Sequence, residues 1–140
     1  MKTVADIMTR KIISVKDSDN LHHGRMLLKQ YGIRHLPVVN AEDQYVGLLT
    51  QRDVLNNALH VVEKFGFSKL TAREERMLVK DVISTDNFFL VSTATLHEAG
   101  EFFVGNKHSC LPIVDDGKLV GILSPVDFVK LALQLLEKDS

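Results

Sequence analysis

Gly47-Leu48-Leu49-Thr50-Gln51-Arg52-Asp53 returns later in the chain as Gly121-Ile122-Leu123-Ser124-Pro125-Val126-Asp127. In both copies a short apolar run, suited to a strand, ends in a hydroxyl residue, and a carboxylate follows three positions on. Ser and Thr are favoured helix N-caps, and an acid at the third helical position completes a capping box. The same acid complements the positive end of the helix dipole. The pattern predicts a strand that runs directly into a helix, twice. A carboxylate at such a turn, beside backbone N–H groups, also suits a ribose diol with a phosphate nearby. Capping alone and capping plus ribose binding are both open readings of Asp53 and Asp127.

The repetition extends well beyond the turn. Asp6-Ile7-Met8-Thr9 matches Asp81-Val82-Ile83-Ser84, Leu21-His22 matches Leu96-His97, and Leu36-Pro37-Val38-Val39 matches Leu111-Pro112-Ile113-Val114, always 75 positions on. The turn itself matches at 74, because the hairpin at Asp115-Asp116-Gly117 is one residue shorter. A nearly constant offset through several different elements marks an internal duplication.

Within the first copy, Val4 to Thr9 reads as a short amphipathic turn and Ile12-Ile13-Ser14-Val15 as a β-branched strand. Asp17 to Asn20 is a turn and N-cap cluster. Leu21 to Tyr31 has helical apolar spacing, with Gly32 as its stop. Leu36 to Val39 is a strand that Pro37 assigns to an edge or a strand start. Asn40 to Gln44 is a polar turn, and Tyr45 to Leu49 returns as its hairpin partner. After Gly66, Thr71-Ala72-Arg73-Glu74 reads as a capping box opening a connecting helix to about Leu78. The resulting division is repeat one over 1–65, a helical connector over 66–78 and repeat two over 79–140.

The 140 residues are 45% hydrophobic with a net charge of −1, an ordinary globular composition. Seventeen Lys and Arg against eighteen Asp and Glu leave no basic footprint for nucleic acid or an anionic membrane. No run approaches the apolar length of a membrane span. Cys110 is the single cysteine, which excludes an intrachain disulfide and fits a cytoplasmic location. Before Leu111-Pro112 it reads as a small buried filler, with no base to make it a nucleophile. His22 and His23 are neighbours on one helix, so their rings diverge, and no metal site is expected.

Two β-α-β-β-α units, each with an apolar-Pro-apolar-apolar strand and a Gly-apolar-apolar-Thr/Ser-x-x-Asp turn, resemble a tandem pair of CBS domains, a Bateman module. The likeness covers nearly the whole chain. It implies an α/β (α+β) fold whose two repeats pack about a pseudo-twofold axis, leaving two clefts. In many relatives such clefts bind AMP, ADP, ATP or S-adenosylmethionine, so an adenosine-type regulatory ligand is implied and no obligatory cofactor. The resemblance puts Asp53 and Asp127 on ribose hydroxyls and Thr50 and Ser124 on ribose or phosphate. Thr9 to Ile13 (including Lys11) and Ser84 to Phe89 would line the base side. Ile33 to Pro37 (with Arg34 and His35) and His108 to Pro112 (with Ser109) would close around base and phosphate.

The two copies differ in charge. Repeat one offers Lys11, Arg34, His35 and Arg52 to a phosphate, whereas repeat two holds Ser109, Cys110 and Val126 at the positions matching the last three and Asn87 one residue past the match to Lys11. The better phosphate site is therefore expected in repeat one. Phe88 or Phe89 either stacks on a base or fills its space.

The helices after Thr50 and Ser124 carry more apolar residues than one core-facing stripe requires, which predicts a homodimer through them. The leading function is a regulatory module that binds an adenosine-containing ligand and signals to an unidentified regulated protein. The alternative is a ligand-free dimerisation or interaction scaffold. With no clustered nucleophile, base and oxyanion set, an enzyme is not expected.

Overall fold

In the computed structural model the described residues are 3–84, 88–105 and 109–138. They form two compact units whose boundaries do not follow the sequence repeats. One unit comprises Ile13–Asn87, and the other joins Met1–Ile12 to Phe88–Ser140.

The first unit holds β1 (Val15–Lys16), α1 (Leu21–Tyr31), β2 (His35–Val39), β3 (Tyr45–Thr50), α2 (Gln51–Phe65) and α3 (Leu70–Arg76). Asn20 caps α1, its side chain accepting the His23 N–H at 2.9 Å. Gly32 ends it in the left-handed conformation at φ 61°, where a Cβ is costly. β2 pairs antiparallel with β3, and β1 adds in parallel on the other side of β2. Pro37 therefore lies in the central strand, against the edge expectation. It is tolerated because β1 is short: it pairs only with Val38 and Val39, so nothing there asks Pro37 for a donor. Val15, Leu21, Leu36, Val38, Leu49 and Val54 form the core.

The second unit holds α4 (Leu96–Gly105), β4 (Leu111–Asp115), β5 (Lys118–Leu123) and α5 (Pro125–Lys138). β4 and β5 form the matching hairpin. A single parallel bridge, Leu90 to Ile113, stands where Val15 meets Val38 in the first unit. Phe102 and Phe103 meet edge-on, and Phe88 and Phe128 extend this aromatic run beside Leu111, Ile113 and Leu123.

Each unit is completed by the opening segment of the other repeat. Val4 N–H donates to Ala94 O at 2.9 Å and Ala5 N–H to Ser92 O at 3.2 Å. Seventy-five residues on, Val79 N–H donates to Asp19 O at 2.8 Å and Lys80 N–H to Asp17 O at 3.1 Å. Val4 and Val79 are both fully buried, each in the core of the unit it joins. The segment after Val4 runs across β5, where Thr9 and Ile122 exchange two backbone hydrogen bonds of 2.9 Å. Met8 lies over Gly121, where an added Cβ would overlap its sulfur and come within 2.9 Å of its Cγ. That close crossing explains the glycine in β5.

The connector departs from its sequence reading. α3 begins after Lys69 with no side-chain cap, so Thr71 and Glu74 do not form a capping box. Glu74 is buried instead and pairs with Arg25 of α1. Arg73, one residue earlier, stacks 3.5 Å from the centre of the Phe65 ring. α3 is thus bound to α1 by charge and to the end of α2 by a cation–π contact.

Candidate functional site

Both Thr/Ser-x-x-Asp turns adopt the predicted strand-to-helix geometry, and their hydrogen bonds distinguish them. Thr50 forms a full capping box: its Oγ1 accepts the Asp53 N–H at 3.0 Å, and its own N–H donates to Asp53 Oδ2 at 3.1 Å. Asp53 Oδ1 accepts no hydrogen bond among the described residues and keeps its acceptor capacity.

At the second turn, the Ser124 N–H donates to Asp127 Oδ2 at 2.9 Å, and the Ser124 hydroxyl donates to the same oxygen at 3.3 Å. The Asp127 N–H turns to the Ser124 carbonyl, 3.0 Å away. Asp127 Oδ1 faces Thr9 Oγ1 at 3.5 Å, a long contact at the limit of a hydrogen bond. Asp127 is therefore engaged at both oxygens, and Asp53 at one.

Around Asp53 the hairpin gathers several predicted site residues. His35 stands opposite Thr50 in the β2–β3 register. Arg34 precedes it, and its carbonyl accepts the Gln51 N–H at 2.9 Å, tying the β2 approach to the start of α2. Arg34 and Arg52 are exposed, whereas His35, Thr50 and Asp53 are half-buried. Pro37 is buried opposite Leu48, and Ile13 and Ile33 pack partly buried against the core. Ser84 is exposed at the end of the described part of this unit.

Thr9, Lys11, Phe89, Ser109, Pro112, Ser124 and Asp127 belong to the other unit. The cations of repeat one are thereby divided: Lys11 lies in the unit of Asp127, while Arg34, His35 and Arg52 lie in the unit of Asp53. The physical cause is the exchange of opening segments, which no local pattern in the sequence announces. Phe88 packs against Phe102 at a centroid distance of 5.4 Å, while Phe89 is 47% exposed. The expectations for 85–87 and His108 lie outside the described residues.

Cys110 is buried as expected, and burial pushes its thiol pKa up to about 12. A thiol so far from ionisation is no nucleophile at neutral pH. Hydrogen bonds from the Ser92 side chain and then its backbone N–H hold Asp115 below the ordinary carboxylate range. Among the described residues no three metal-ligating side chains cluster, and no helix is long and apolar enough to cross a membrane.

With this architecture in view, the CBS domain family matches residues 4–60 and 79–134, both repeats in full register with the duplication. The chain belongs to the CBS domain family. It is a CBS pair. One solved structure similar to it is a Vibrio cholerae protein named for acetoin utilization, AcuB, 30% identical with a TM-score of 0.82. The alignment covers all of this chain and 98% of that one. Another is Arabidopsis thaliana CBSX2, solved in complex with AMP, 28% identical with a TM-score of 0.80, covering 96% and 98% of the two chains. A curated relative, an uncharacterized protein of Methanocaldococcus jannaschii, is 27% identical over 128 residues. This chain spans 42% of that protein's length, and 23% and 24% of the next two curated relatives.

Proposed function

We propose that this CBS pair is a regulatory module that binds an adenosine-containing ligand, AMP, ADP, ATP or S-adenosylmethionine, and relays occupancy to a protein partner. The observation that carries the reading is the state of Asp53. One of its oxygens is held by its own capping box while the other accepts nothing among the described residues. That is the condition in which a ribose diol finds an oriented acceptor without displacing a protein hydrogen bond. His35, Arg34 and Arg52 stand near it to meet a phosphate. CBSX2, similar along almost its whole length and solved with AMP, supports the choice of ligand class.

The same reasoning ranks the two turns. Asp127 already satisfies Ser124 and approaches Thr9, so a ribose there has to compete with internal partners. Repeat one, over 1–65, therefore provides the stronger turn, and repeat two, over 79–140, the weaker. Ile13, Ile33, Pro37 and Ser84 complete the proposed ligand contacts in the unit of Asp53, and Thr9, Lys11, Phe89, Ser109 and Pro112 those in the unit of Asp127. The connector over 66–78 serves as a fixed spacer, pinned through Glu74.

The relay works by unequal affinity: a ligand moves a conformational equilibrium only as far as it prefers one state. The module acts in the cytoplasm as a homodimer through α2 and α5. Leu55 and Leu59 on α2 and Val129, Leu133 and Leu136 on α5 are each more than half exposed and apolar, which favours a covering copy. The test is a thermal-shift panel of AMP, ADP, ATP and S-adenosylmethionine. A ligand at about one hundred times its Kd adds roughly 2.7 kcal/mol to stability. If none of them raises the melting temperature, the ligand-free scaffold replaces this reading.

A further inference from the structure

The family pattern ends at residue 60 and resumes at 79, so it prescribes nothing about the connector. There the chain carries a surface of its own. α2 stops at Gly66, held at φ 88° and ψ 156°, a conformation essentially restricted to glycine. The backbone leaves it in a single 3₁₀ turn, Phe67–Lys69, and passes straight into α3. Phe67 is 78% exposed, the most exposed aromatic ring among the described residues. A sharp turn that glycine permits thus delivers a large apolar side chain to water.

The surroundings of Phe67 are fixed and cationic. α2, the turn and α3 pack against one another within one unit, and α3 is held to α1 by Glu74 and Arg25. Lys64, Lys69, Arg73 and Arg76 are all exposed. Against them stand two exposed acids, Glu63 and Glu75, since Glu74 is buried on Arg25. The Lys69 and Arg76 side chains have no hydrogen-bond or ion-pair partner among the described residues. Arg73 stacks on Phe65, which leaves the donor edge of its guanidinium open to a carboxylate. Lys64 approaches the same ring, its Nζ 5.3 Å from the centre. A solvated ring among unpaired cations calls for apolar cover and negative charge together.

We infer that the junction of α2 and α3 is a docking site for an acidic segment of a protein partner, one that carries a large apolar side chain beside its carboxylates. The apolar side chain covers Phe67, and the carboxylates meet Lys69, Arg73 and Arg76. The inference rests on the reading that the module has a protein partner and adds where that partner is held and by what chemistry. The other occupants fit less well. A nucleic-acid strand needs a run of open rings on which successive bases stack, and Phe65 is already covered by Arg73. A membrane surface needs a broader apolar face than one ring provides. A second copy would set these same cations against one another.

A random dodecapeptide phage library selected on the full chain, with Phe67→Ser as the counter-target, tests it. The selected peptides should be rich in Asp and Glu around an aromatic residue or Leu. The leading peptide, labelled with fluorescein, should lose affinity about tenfold in Phe67→Ser and about three- to tenfold in Lys69→Glu. Peptides without acids, or equal binding by Phe67→Ser, overturn the inference. So does tighter, Phe67-dependent binding of oligothymidylate or of phosphatidylserine vesicles. Both substitutions alter exposed side chains, so the variants should melt and sediment like the unmodified chain. A dimer that dissociates in Phe67→Ser makes the ring a contact between copies and overturns the docking site. An AMP thermal shift separates this inference from the ligand reading, since Phe67→Ser should leave that shift unchanged. An AMP shift with no selected peptide removes the docking site and keeps the ligand. Peptide binding with no shift from any adenosine ligand keeps the docking site and removes the ligand.

Discussion

Arg25 and Glu74 are locked together across 49 residues of chain: Arg25 Nε lies 2.9 Å from each carboxylate oxygen and Nη2 lies 2.6 Å from Oε2. His22 Nδ1 adds a contact at 3.3 Å. Glu74 is 1% exposed whereas the Arg25 side chain is 33% exposed, so the pair is lopsided. Removing Arg25 strands a buried carboxylate, and removing Glu74 frees a guanidinium that reaches water. Arg25→Ala should therefore cost about 3–5 kcal/mol in urea unfolding, and Glu74→Ala clearly less. Equal small losses would show that the pair does not fasten α3.

The crossing of Met8 over Gly121 gives a probe of the exchanged opening segment. Gly121→Ala puts a methyl group into the space of Met8 and should cost about 1–3 kcal/mol by overpacking. Met8→Ala removes the obstacle while leaving a cavity of its own. The two changes should therefore be strongly non-additive, with a coupling of about 0.5–3 kcal/mol in a double-mutant cycle. Strict additivity would mean that the segment does not dock there.

The two carboxylates at the turns should respond unequally to ligand. In an AMP thermal-shift titration, each variant compared with its own ligand-free melt, Asp53→Asn is expected to abolish most of the shift. Asp127→Asn is expected to reduce it less, since Asp127 Oδ2 already serves Ser124. A shift lost in Asp127→Asn and retained in Asp53→Asn reverses the ranking of the turns.

Cys110 predicts a response to pH and to thiol reagents. Its folded pKa, pushed up to about 12 by burial, exceeds the ordinary thiol value of about 8.5. The folded state thus holds its proton more tightly than the unfolded chain. The contribution is fully present below about pH 8.5 and is lost as pH rises toward 12, at up to about 1.4 kcal/mol per pH unit. Cys110→Ala should lose less stability across that alkaline window than the unmodified chain. At pH 8 the thiol should be silent to Ellman's reagent until urea unfolds the protein. Rapid labelling of the native state would contradict its burial.

Much of the chain was legible from local rules. α1 runs from Leu21 to Tyr31 and stops at Gly32, as its spacing and glycine indicate. Thr50 and Asp53 cap α2 because both partners lie within one turn of each other. The strand expected over Ile12 to Val15 shrinks to Val15–Lys16, since a strand needs a partner and only Val38 and Val39 are there to pair. Glu74 reads locally as the end of a capping box, yet a carboxylate that finds a guanidinium in the interior is worth more there than at an exposed helix start.

What the sequence determined by itself is the duplication, its strand-turn-helix signature and the charge difference between the copies, because each depends on residues near in sequence or on a comparison of the chain with itself. Only the tertiary structure decided where the opening segments go. Val4 and Val79 occupy equivalent positions in equivalent repeats, and the pattern is the same whether each segment packs on its own repeat or on the other. The backbone bonds from Val4 to Ala94 and from Val79 to Asp19 choose the exchange. That choice puts Thr9 beside Asp127 and separates Lys11 from the unit of Arg34 and Arg52. The reason is physical: a buried valine needs an apolar partner, and its own sequence does not say which of two equivalent cores supplies it.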